Sequence, residues 1–323
     1  MGTVVVLGSL ITDLVAQAPR LPLPGESLIG DDFATYLGGK GINQAIASAR
    51  LGASVTLIGR VGTDPFGDAF FPILAHEGID SRYVTRDASI GTGVSLIIID
   101  ANSGQNTIVA TPRANLAVTA ETVETALRSI YEQHTQSQPT AKAIFLAQCE
   151  TSFVSYMAGL KLARNLGMTT ILNAAPIPRE PLGDDLFTLV DVLIVNEVEA
   201  TILSQIAVTS IESAQTAAAA LLARGPAHVI ITLGRQGCLW CTHQDQSTEC
   251  ATIAPFPVKA VDTTAAGDAF CGALASALAS NLPMTDALQH ARAAGAITVT
   301  RKGAIAALPT ADEVTHLLQS NQQ

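Results

Sequence analysis

Residues 262–268 read Asp-Thr-Thr-Ala-Ala-Gly-Asp, and an uninterrupted run of small and apolar residues, Ala269–Ser280, follows them. Such a run predicts a buried helix. The residues just before it would lie at the helix N-terminus, where free backbone N–H groups and the positive end of the helix dipole face outward. Ala265, Ala266 and Gly267 have side chains too small to keep an anion away from these groups. The segment therefore predicts an anion hole suited to a transferring phosphoryl group.

Asp268 ends this segment and would lie beside the anion hole. A carboxylate at that place can accept the proton of an attacking hydroxyl group, as phosphoryl transfer to an alcohol requires. The alternative is an aspartate that only caps the helix, and the segment by itself does not decide between the two. Asp268 is therefore the candidate catalytic base.

Strand-like and helix-like segments alternate along nearly the whole chain. The strand-like runs are short and mostly β-branched or apolar: Thr3–Leu7, Ser54–Ile58, Ala143–Ala147, Thr169–Leu172, Val192–Val195 and Val229–Thr232. The helical stretches between them are Gly41–Leu51, Glu121–Tyr131, Phe153–Leu166 and Ser213–Arg224. This rhythm predicts an α/β fold with a largely parallel central sheet and helices on both of its faces.

Two regions break the rhythm. Residues 13–37 contain three prolines and then an alternating stretch, Glu26–Tyr36. Residues 92–112 hold two strand-like runs on either side of the turn Asn102-Ser103-Gly104. Both regions are predicted as hairpins without helices, which could join into one small sheet over the core. We predict a single α/β domain, residues 1–323, with these two regions as a β-sheet lid.

A second glycine-rich segment lies at Leu37–Ala45, Leu-Gly-Gly-Lys-Gly-Ile-Asn-Gln-Ala. Its glycines let the backbone approach a ligand closely, and Asn43 can both donate to and accept from hydroxyl groups. It does not match a Walker A loop, because Ala34 stands where the first glycine belongs and no Ser or Thr follows Lys40. A glycine turn that starts a helix is an equally good interpretation of this segment alone.

Three further patches follow predicted strands: Gly8–Asp13, Asn196–Glu199 and Thr232–Gly237. The acidic and amide groups of the second suit hydrated Mg²⁺, and the glycine turn of the third suits the edge of a nucleotide. No Gly-x-Gly-x-x-Gly follows a strand, which argues against NAD. Although each patch could be an ordinary loop, all five are predicted at the carboxyl ends of parallel strands, the edge where open α/β sheets bind ligands.

Composition excludes several classes of partner. The net charge is −10, only 14% of the residues are charged, and Lys and Arg are scattered, so the sequence offers no basic face for nucleic acid or an anionic membrane. No apolar run approaches the ~18 residues that span a bilayer. Because the N-terminus also lacks the marks of a signal peptide, we expect a cytoplasmic protein.

The five cysteines are an odd number in a large chain, which indicates a reducing compartment. Cys238, Cys241, His243 and Cys250 lie close enough in sequence for a zinc site to be considered. Residues three apart on a strand face opposite sides, however, and no second Cys-x-x-Cys completes such a site. We therefore expect ordinary strand and loop thiols here.

On these residues the chain resembles the ribokinase-like carbohydrate kinases. Gly38–Ala45 is similar to the first signature of that family and Asp262–Asp268 to the second. The resemblance extends from Val4–Ser9 to Val299–Ala304, and Pro24-Gly25-Glu26 and Asn173–Pro176 are most similar to the ribokinase branch of the family.

The resemblance implies an ATP-dependent transfer of the γ-phosphoryl group to a primary hydroxyl of a furanose, with D-ribose as the first expectation. It also implies Mg²⁺, a monovalent cation such as K⁺, and a homodimer through the lid. A fructokinase or a nucleoside kinase of the same family is the alternative. From another class, the chain could be a catalytically silent sugar- or nucleotide-binding regulator, although Asp268 and the anion hole argue against this.

The resemblance also implies roles for individual residues. The implied sugar pocket consists of Asp13, Gly39, Lys40, Asn43, Glu150 and Asp268. The implied nucleotide contacts are Asn196, Glu199 (linked to Mg²⁺ and phosphate), Thr232, Leu233, Gly234, Arg235, Gln236, Gly237, Gly267 and Arg292. The implied cation ligands, largely through backbone carbonyls, are Asp262, Thr264, Thr298, Arg301, Gly303 and Ala307.

Three positions depart from the family pattern. Ile11 stands where ribokinases usually carry a sugar-binding Asn, so the identity of the sugar is less firmly implied than kinase activity. Arg292 stands where an Asn or His often meets adenine, although an Arg can stack on a base. Ala307 stands where a Ser is common, which weakens its place among the cation ligands.

Overall fold

The computed structural model describes residues 2–137, 141–244 and 247–321. In chain order the strands are β1 (Thr3–Leu7), β2 (Ile11–Ala18), β3 (Asp32–Gly38), β4 (Ser54–Gly62), β5 (Asp80–Asp87), β6 (Gly93–Asp100), β7 (Asn106–Thr111), β8 (Ala143–Gln148), β9 (Thr169–Asn173), β10 (Val192–Asn196), β11 (His228–Thr232), β12 (Cys238–Gln244) and β13 (Ser247–Ile253). The helices are α1 (Lys40–Arg50), α2 (Pro65–Asp68), α3 (Phe70–His76), α4 (Ala120–Ser137), α5 (Phe153–Asn165), α6 (Asp184–Phe187), α7 (Glu197–Ser204), α8 (Ile211–Leu222), α9 (Ala266–Ala279), α10 (Met284–Thr298) and α11 (Ala311–Ser320).

The larger sheet has nine strands in the order β13-β12-β11-β10-β9-β8-β1-β4-β5. The pairs from β11 to β5 are parallel, and β12 pairs antiparallel with both of its neighbours. The predicted α/β fold with a largely parallel sheet is therefore confirmed. Because the parallel strands share one direction, their carboxyl ends meet at one edge of the sheet.

Strand β1 shows why the central strands are apolar without interruption. Its side chains alternate between two buried clusters: Val4 and Val6 pack with α1 and α9 on one face, and Val5 and Leu7 pack with α4 and α5 on the other. All five residues of the strand are buried. A strand covered by helices on both faces needs apolar side chains at every position, which is the pattern seen in the sequence.

A separate four-stranded sheet has the order β3-β2-β6-β7. Strand β2 pairs antiparallel with β3 and parallel with β6, and β6 pairs antiparallel with β7. The two irregular regions thus join into one small sheet, as predicted. The strand predicted in the first region is shorter, because residues 26–31 lie outside β3, and β2 begins before residue 13, at Ile11.

Two expectations from the sequence need correction. Leu37–Ala45 and Asp262–Asp268 do not directly follow strands of the large sheet, since the first begins within the end of β3 of the small sheet and the second follows a connection after β13. The cysteines are not all free thiols either. Cys241 and Cys250 are directly opposed partners on β12 and β13, and their sulfur atoms form a disulfide. The sequence could not reveal this pair without the register of the two strands.

Within the described part of the chain, no helix has both the length and the apolar character that crossing a membrane would require.

Candidate active site

Helix α9 begins with an unusual backbone conformation. Ala265, its N-cap residue, has φ 58°, a left-handed backbone conformation that residues other than glycine rarely adopt. A Cβ added to Gly267 in the first turn would meet no atom of the described residues within 4 Å, so open space borders the helix here. First-turn N–H groups have no partner inside a helix. Ala265, Ala266 and Gly267 therefore form a helix end with room for an anion.

Asp268 lies in the same first turn and is 6% exposed. Its Oδ2 accepts a hydrogen bond from Asn43 Nδ2 at 2.9 Å, and its Oδ1 accepts one from Gln44 Nε2 at 2.9 Å. These two amides belong to α1, so the fold brings the two signature segments into direct contact. An aspartate that caps a helix accepts hydrogen bonds from backbone N–H groups of that same helix. The Asp268 carboxylate instead accepts from side chains of another helix, α1, so it is not the cap of α9.

Lys40 is the first residue of α1 and lies among three carboxylates. The Asp268 carboxylate, followed by Glu150 and Glu199, raises the pKa of the Lys40 ammonium, while burial opposes this effect. The backbone N–H of Lys40 donates to Glu150 Oε2 at 2.9 Å. Ser9 Oγ donates to the same oxygen through a short hydrogen bond. Burial is also the main cause that raises the pKa of Glu150.

Asp13 lies directly above Gly38, where a Cβ would come within 2.5 Å of Asp13 Oδ2. Burial raises the pKa of Asp13, and a hydrogen bond from Ser95 partly opposes this. Gly39 has φ 101°, and a Cβ there would lie 3.0 Å from Ile11 N, so both glycines are required by close approach of the small sheet. Ile11 is 3% exposed and shares a face of β2 with Asp13, since they are two residues apart.

The six residues of the predicted sugar pocket thus lie at the junction of the small sheet, α1, α9 and the end of β8. Asn43 Oδ1 is buried and has no hydrogen-bond partner among the residues that the structure describes. A buried amide oxygen without a partner is costly unless a ligand supplies a donor. A sugar hydroxyl would supply one.

The predicted magnesium and phosphate residues lie at the end of β10. Asn196 is the N-cap of α7, and its Oδ1 accepts from Glu199 N at 2.9 Å while Glu199 Oε2 accepts from Asn196 N at 2.9 Å. The two residues therefore form a capping box, a structural role that the sequence interpretation had not assigned. Burial raises the pKa of Glu199.

The remaining oxygen of Glu199, Oε1, accepts no hydrogen bond from the described residues, which leaves it free to meet hydrated Mg²⁺. Among all the residues that the structure describes, no group of three or more His, Cys, Asp or Glu side chains is arranged so that it could hold a metal ion. The residues present therefore fit an ion that arrives with phosphates and water, and they do not form a cage of protein ligands.

The turn after β11 contains the predicted nucleotide residues Thr232–Gly237. Leu233 N donates to Gly237 O at 2.8 Å, which closes the turn. Gly237 has φ 87°, and a Cβ there would lie 2.0 Å from Ile253 O. Arg292, on α10, lies with its guanidinium carbon 4.0 Å from the centre of the Phe256 ring and donates to Ala254 O. Its guanidinium is thus engaged by the connection after β13.

Asp262 joins the two loops that carry most of the predicted cation ligands. Its Oδ1 accepts from Thr264 N at 2.9 Å and from Thr264 Oγ1 at 2.6 Å, and its Oδ2 accepts from Gly303 N at 2.9 Å. The Thr298 hydroxyl donates to Ala294 O within α10, and the Arg301 guanidinium pairs with Glu313. Ala307 is fully buried. The side chains of Asp262, Thr298 and Arg301 thus have partners within the chain, so a cation held by these residues would have to bind their backbone carbonyl groups.

Sequence reasoning did not assign roles to four polar residues at this site. Ser9, Gln44, Gln148 and Asn173 are buried and hydrogen-bonded to the predicted site residues or to one another. Ser9 and Gln44 lie within the glycine-containing segments Gly8–Asp13 and Leu37–Ala45, and Gln148 and Asn173 follow predicted strands directly. A polar residue that ends an otherwise apolar strand, such as Gln148 at the end of β8, was the available signal.

A buried carboxylate beside an open helix N-terminus, next to an amide oxygen without a partner among the described residues, is the arrangement expected of enzymes that transfer a phosphoryl group to an alcohol. Comparison with known proteins agrees. The model of the pfkB family carbohydrate kinases matches residues 1–311, and the chain belongs to this family.

Three relatives illustrate the similarity. The ribokinase of Haemophilus influenzae is 35% identical over 98% of this chain and 98% of its own. The deoxyribokinase of Salmonella typhi is 30% identical over 99% of both chains. The structure of Arabidopsis thaliana ribokinase complexed with ribose and ATP has a TM-score of 0.86 and 27% identity, and covers 98% of this chain and 99% of that one.

Proposed function

We propose that this chain transfers the γ-phosphoryl group of ATP to the primary hydroxyl of D-ribose and releases ribose 5-phosphate. The contact between Asn43 and Asp268 carries the proposal, because it joins the hydroxyl-binding segment to the candidate base at an anion-binding helix end. Asp268 would accept the proton of the attacking hydroxyl, and the N–H groups of α9 would stabilise the charge on the phosphoryl oxygens. Ribokinase relatives along the whole chain support ribose as the acceptor.

ATP would lie along the carboxyl ends of β10 and β11, with phosphates between Glu199 and Gly267. Thr232–Gly237, Asn196 and Arg292 would contact the nucleotide. Mg²⁺, when bound, neutralises charge on the β- and γ-phosphates, and Glu199 with its unpaired oxygen would orient the hydrated ion. A monovalent cation between the Asp262 and Gly303 loops would support the helix end that holds the anion.

The small sheet would act as a lid over the sugar, because Asp13 and Ile11 face the pocket from β2. Lid closure would exclude water, which otherwise competes with the sugar as acceptor. Large apolar side chains on the sheet are exposed, Ile108 and Val109 at 55% each, which supports pairing of lids in a homodimer. The chain would act in the cytoplasm.

Ile11 favours a second candidate acceptor. An apolar side chain cannot hydrogen-bond to a hydroxyl. A sugar that lacks one hydroxyl, such as 2-deoxy-D-ribose, would therefore lose less binding free energy relative to D-ribose here than in a pocket with an amide at this position. The deoxyribokinase relative supports this candidate. D-Fructose, which has a bulkier substituent, is a third candidate acceptor, because the apolar Ile11 side chain provides no polar group that would discriminate against it.

A coupled assay of ADP release tests the proposal. Wild-type protein should turn over ATP with D-ribose and not without sugar, and K⁺ should raise the rate above that in a bulky organic cation. Asp268→Asn, a nearly isosteric change, should lower kcat by about 10²-fold or more, as loss of a general base does. Near-native turnover by Asp268→Asn would reject the base, and a tenfold preference for deoxyribose or fructose would reject ribose while leaving a sugar kinase.

A further inference from the structure

A chain of buried amide side chains lies behind Asp268. Gln148, the last residue of β8, donates from Nε2 to Gln44 Oε1 over 2.7 Å. Gln44 Nε2 donates to Asp268 Oδ1 at 2.9 Å and to Asn173 Oδ1 at 3.0 Å. Gln44 and Gln148 are completely buried, so neither can be explained as a solvated polar residue.

Only one orientation of the Gln44 amide places its donors and its acceptor opposite the matching atoms of Asp268, Asn173 and Gln148. Its nitrogen carries two hydrogens, which go to Asp268 and Asn173, and its oxygen accepts from Gln148. A rotation by about 180° would place the amide oxygen against two acceptor oxygens and the amide nitrogen against a donor. Asn173 is held in turn, because its Nδ2 donates to Ile194 O at 3.2 Å. Strands β8 and β9 thus fix the direction in which Gln44 meets the carboxylate.

We propose that Gln44 is a positioning residue for Asp268, and that Gln148 acts through Gln44. This rests on the proposed role of Asp268 as the base. Gln44 holds Oδ1 and Asn43 holds Oδ2, so the carboxylate plane is fixed from both oxygens. A base that keeps its direction toward the acceptor hydroxyl stays in the geometry that proton transfer needs. Because Gln44 is buried behind Asp268, its loss should change kcat far more than KM.

Two substitutions test this role. Gln44→Met keeps the length of the side chain but removes its donors, and should lower kcat for D-ribose about 10- to 100-fold, as a misplaced catalytic group does. KM for ribose and ATP should stay within about threefold. Gln148→Met leaves the contact between Gln44 and Asp268 but releases the amide orientation, so the loss of kcat should be smaller, about 3- to 10-fold. The double variant should match Gln44→Met alone, because Gln148 has no other route to the base.

Ser48→Ala is the matched control. Ser48 is completely buried on the same helix, and its Oγ lies 2.9 and 3.0 Å from the backbone oxygens of Gln44 and Gly272, which share its single donor hydrogen. The variant therefore loses a buried hydrogen bond without removing a contact of Asp268. It should lower Tm but keep kcat within about twofold.

Three outcomes would overturn the positioning role: kcat of both glutamine variants equal to that of Ser48→Ala, KM changes as large as the kcat changes, or multiplied losses in the double variant. If Gln44→Met does not fold, the comparison of Gln148→Met with Ser48→Ala decides alone. Asp268→Asn separates the two proposals, since an active Asp268→Asn rejects the base itself, whereas an inactive one beside a fully active Gln44→Met rejects only the positioning role.

Discussion

Gly267 and Gly272 lie on the same helix, α9, but in opposite surroundings. A Cβ at Gly267 would meet nothing within 4 Å, whereas a Cβ at Gly272 would lie 2.6 Å from Ala47 Cβ and from Gln44 O. Gly272 is therefore required by the contact between α1 and α9. Packing against the described residues does not require Gly267, as expected if a ligand occupies the space beside it.

Gly267→Ala should consequently fold with an equal or higher Tm, since alanine is favoured over glycine in a helix by up to about 1 kcal/mol. It should lower kcat/KM for ATP by about tenfold or more, because the methyl group would occupy the place of the phosphate. Gly272→Ala provides the contrast: overpacking between α1 and α9 should destabilise the fold by about 1–3 kcal/mol, so its effect should appear first as a lower Tm. Thermal unfolding and ATP titrations measure both. Wild-type kinetics in Gly267→Ala would show that no phosphate binds beside it.

Glu150 illustrates the cost of a polar pocket. Burial raises its pKa, so its ionised form is less stable in the folded chain than in the unfolded one. The stability that Glu150 contributes is fully present below its ordinary pKa of about 4.5 and is lost as pH rises through the raised value. The penalty therefore applies at neutral and alkaline pH.

Glu150→Gln should accordingly raise Tm at pH 8, and the difference should shrink toward pH 4. About 2 °C would correspond to ~1 kcal/mol in a chain of this size. The same variant should lose ribose affinity if the carboxylate binds a hydroxyl. Glu249→Gln, on an exposed part of β13, is the control and should leave Tm nearly unchanged at both pH values. A lower Tm of Glu150→Gln at pH 8 would contradict the sign.

At the scale of elements, uninterrupted apolar runs made the central strands predictable, because burial on both faces leaves no room for polar residues. Strand β5 was missed, since Asp80–Asp87 lies at the edge of the sheet and is largely polar. Helices α10 and α11 were not identified either. The capping box of α7 could be predicted from Asn196 and Glu199, which are three residues apart. The sequence analysis assigned these two residues only to Mg²⁺ and nucleotide binding.

The disulfide in the hairpin of β12 and β13 predicts how many cysteines a thiol reagent can label. With Cys241 and Cys250 bonded, Cys149, Cys238 and Cys271 remain free. Burial raises the pKa of Cys149 and Cys238 to about 12 and that of Cys271 well above its ordinary value, so almost no thiolate is present at pH 8.

Alkylation followed by mass measurement should therefore label no cysteine rapidly in the folded protein, three after unfolding without reductant, and five after unfolding with reductant. Cys250→Ser provides the control, because it should expose a fourth thiol in unfolded, unreduced protein. Five labels without reductant would show that the hairpin carries thiols, as the sequence had suggested.

At the scale of the whole molecule, the sequence located the two signatures but not the network between them. Gln44, Gln148, Asn173 and Asp268 come from α1, β8, β9 and α9, and only the sheet order brings them together. Motifs with local geometry, such as the start of α9 at Ala266, were visible because neighbouring residues build them. A hydrogen-bond network across elements depends on register, which no local pattern contains.

The exposed apolar residues of β7 bear on assembly. Ile108 and Val109 are consecutive and therefore point to opposite faces of the small sheet, so Ile108→Asp with Val109→Asp charges both faces. If lids pair, this double variant should be monomeric in sedimentation velocity where wild type is dimeric. Ile202→Asp, at an exposed apolar residue of α7, is the control and should stay dimeric. A monomeric wild type at assay concentrations would contradict the dimer.

The parallel pairing of β2 with β6 has a consequence for how the chain folds. Residue 11 is the partner of residue 93, and β3, α1, β4 and β5 lie between them in sequence. Closing so long a loop costs conformational entropy before its contacts repay it, so the two local hairpins, β2 with β3 and β6 with β7, should each form before β2 pairs with β6. The contacts of Asp268 with Asn43 and Gln44 close still longer loops, since 225 and 224 residues separate the partners. Both sides of the sugar pocket therefore depend on contacts that only a nearly complete fold can make.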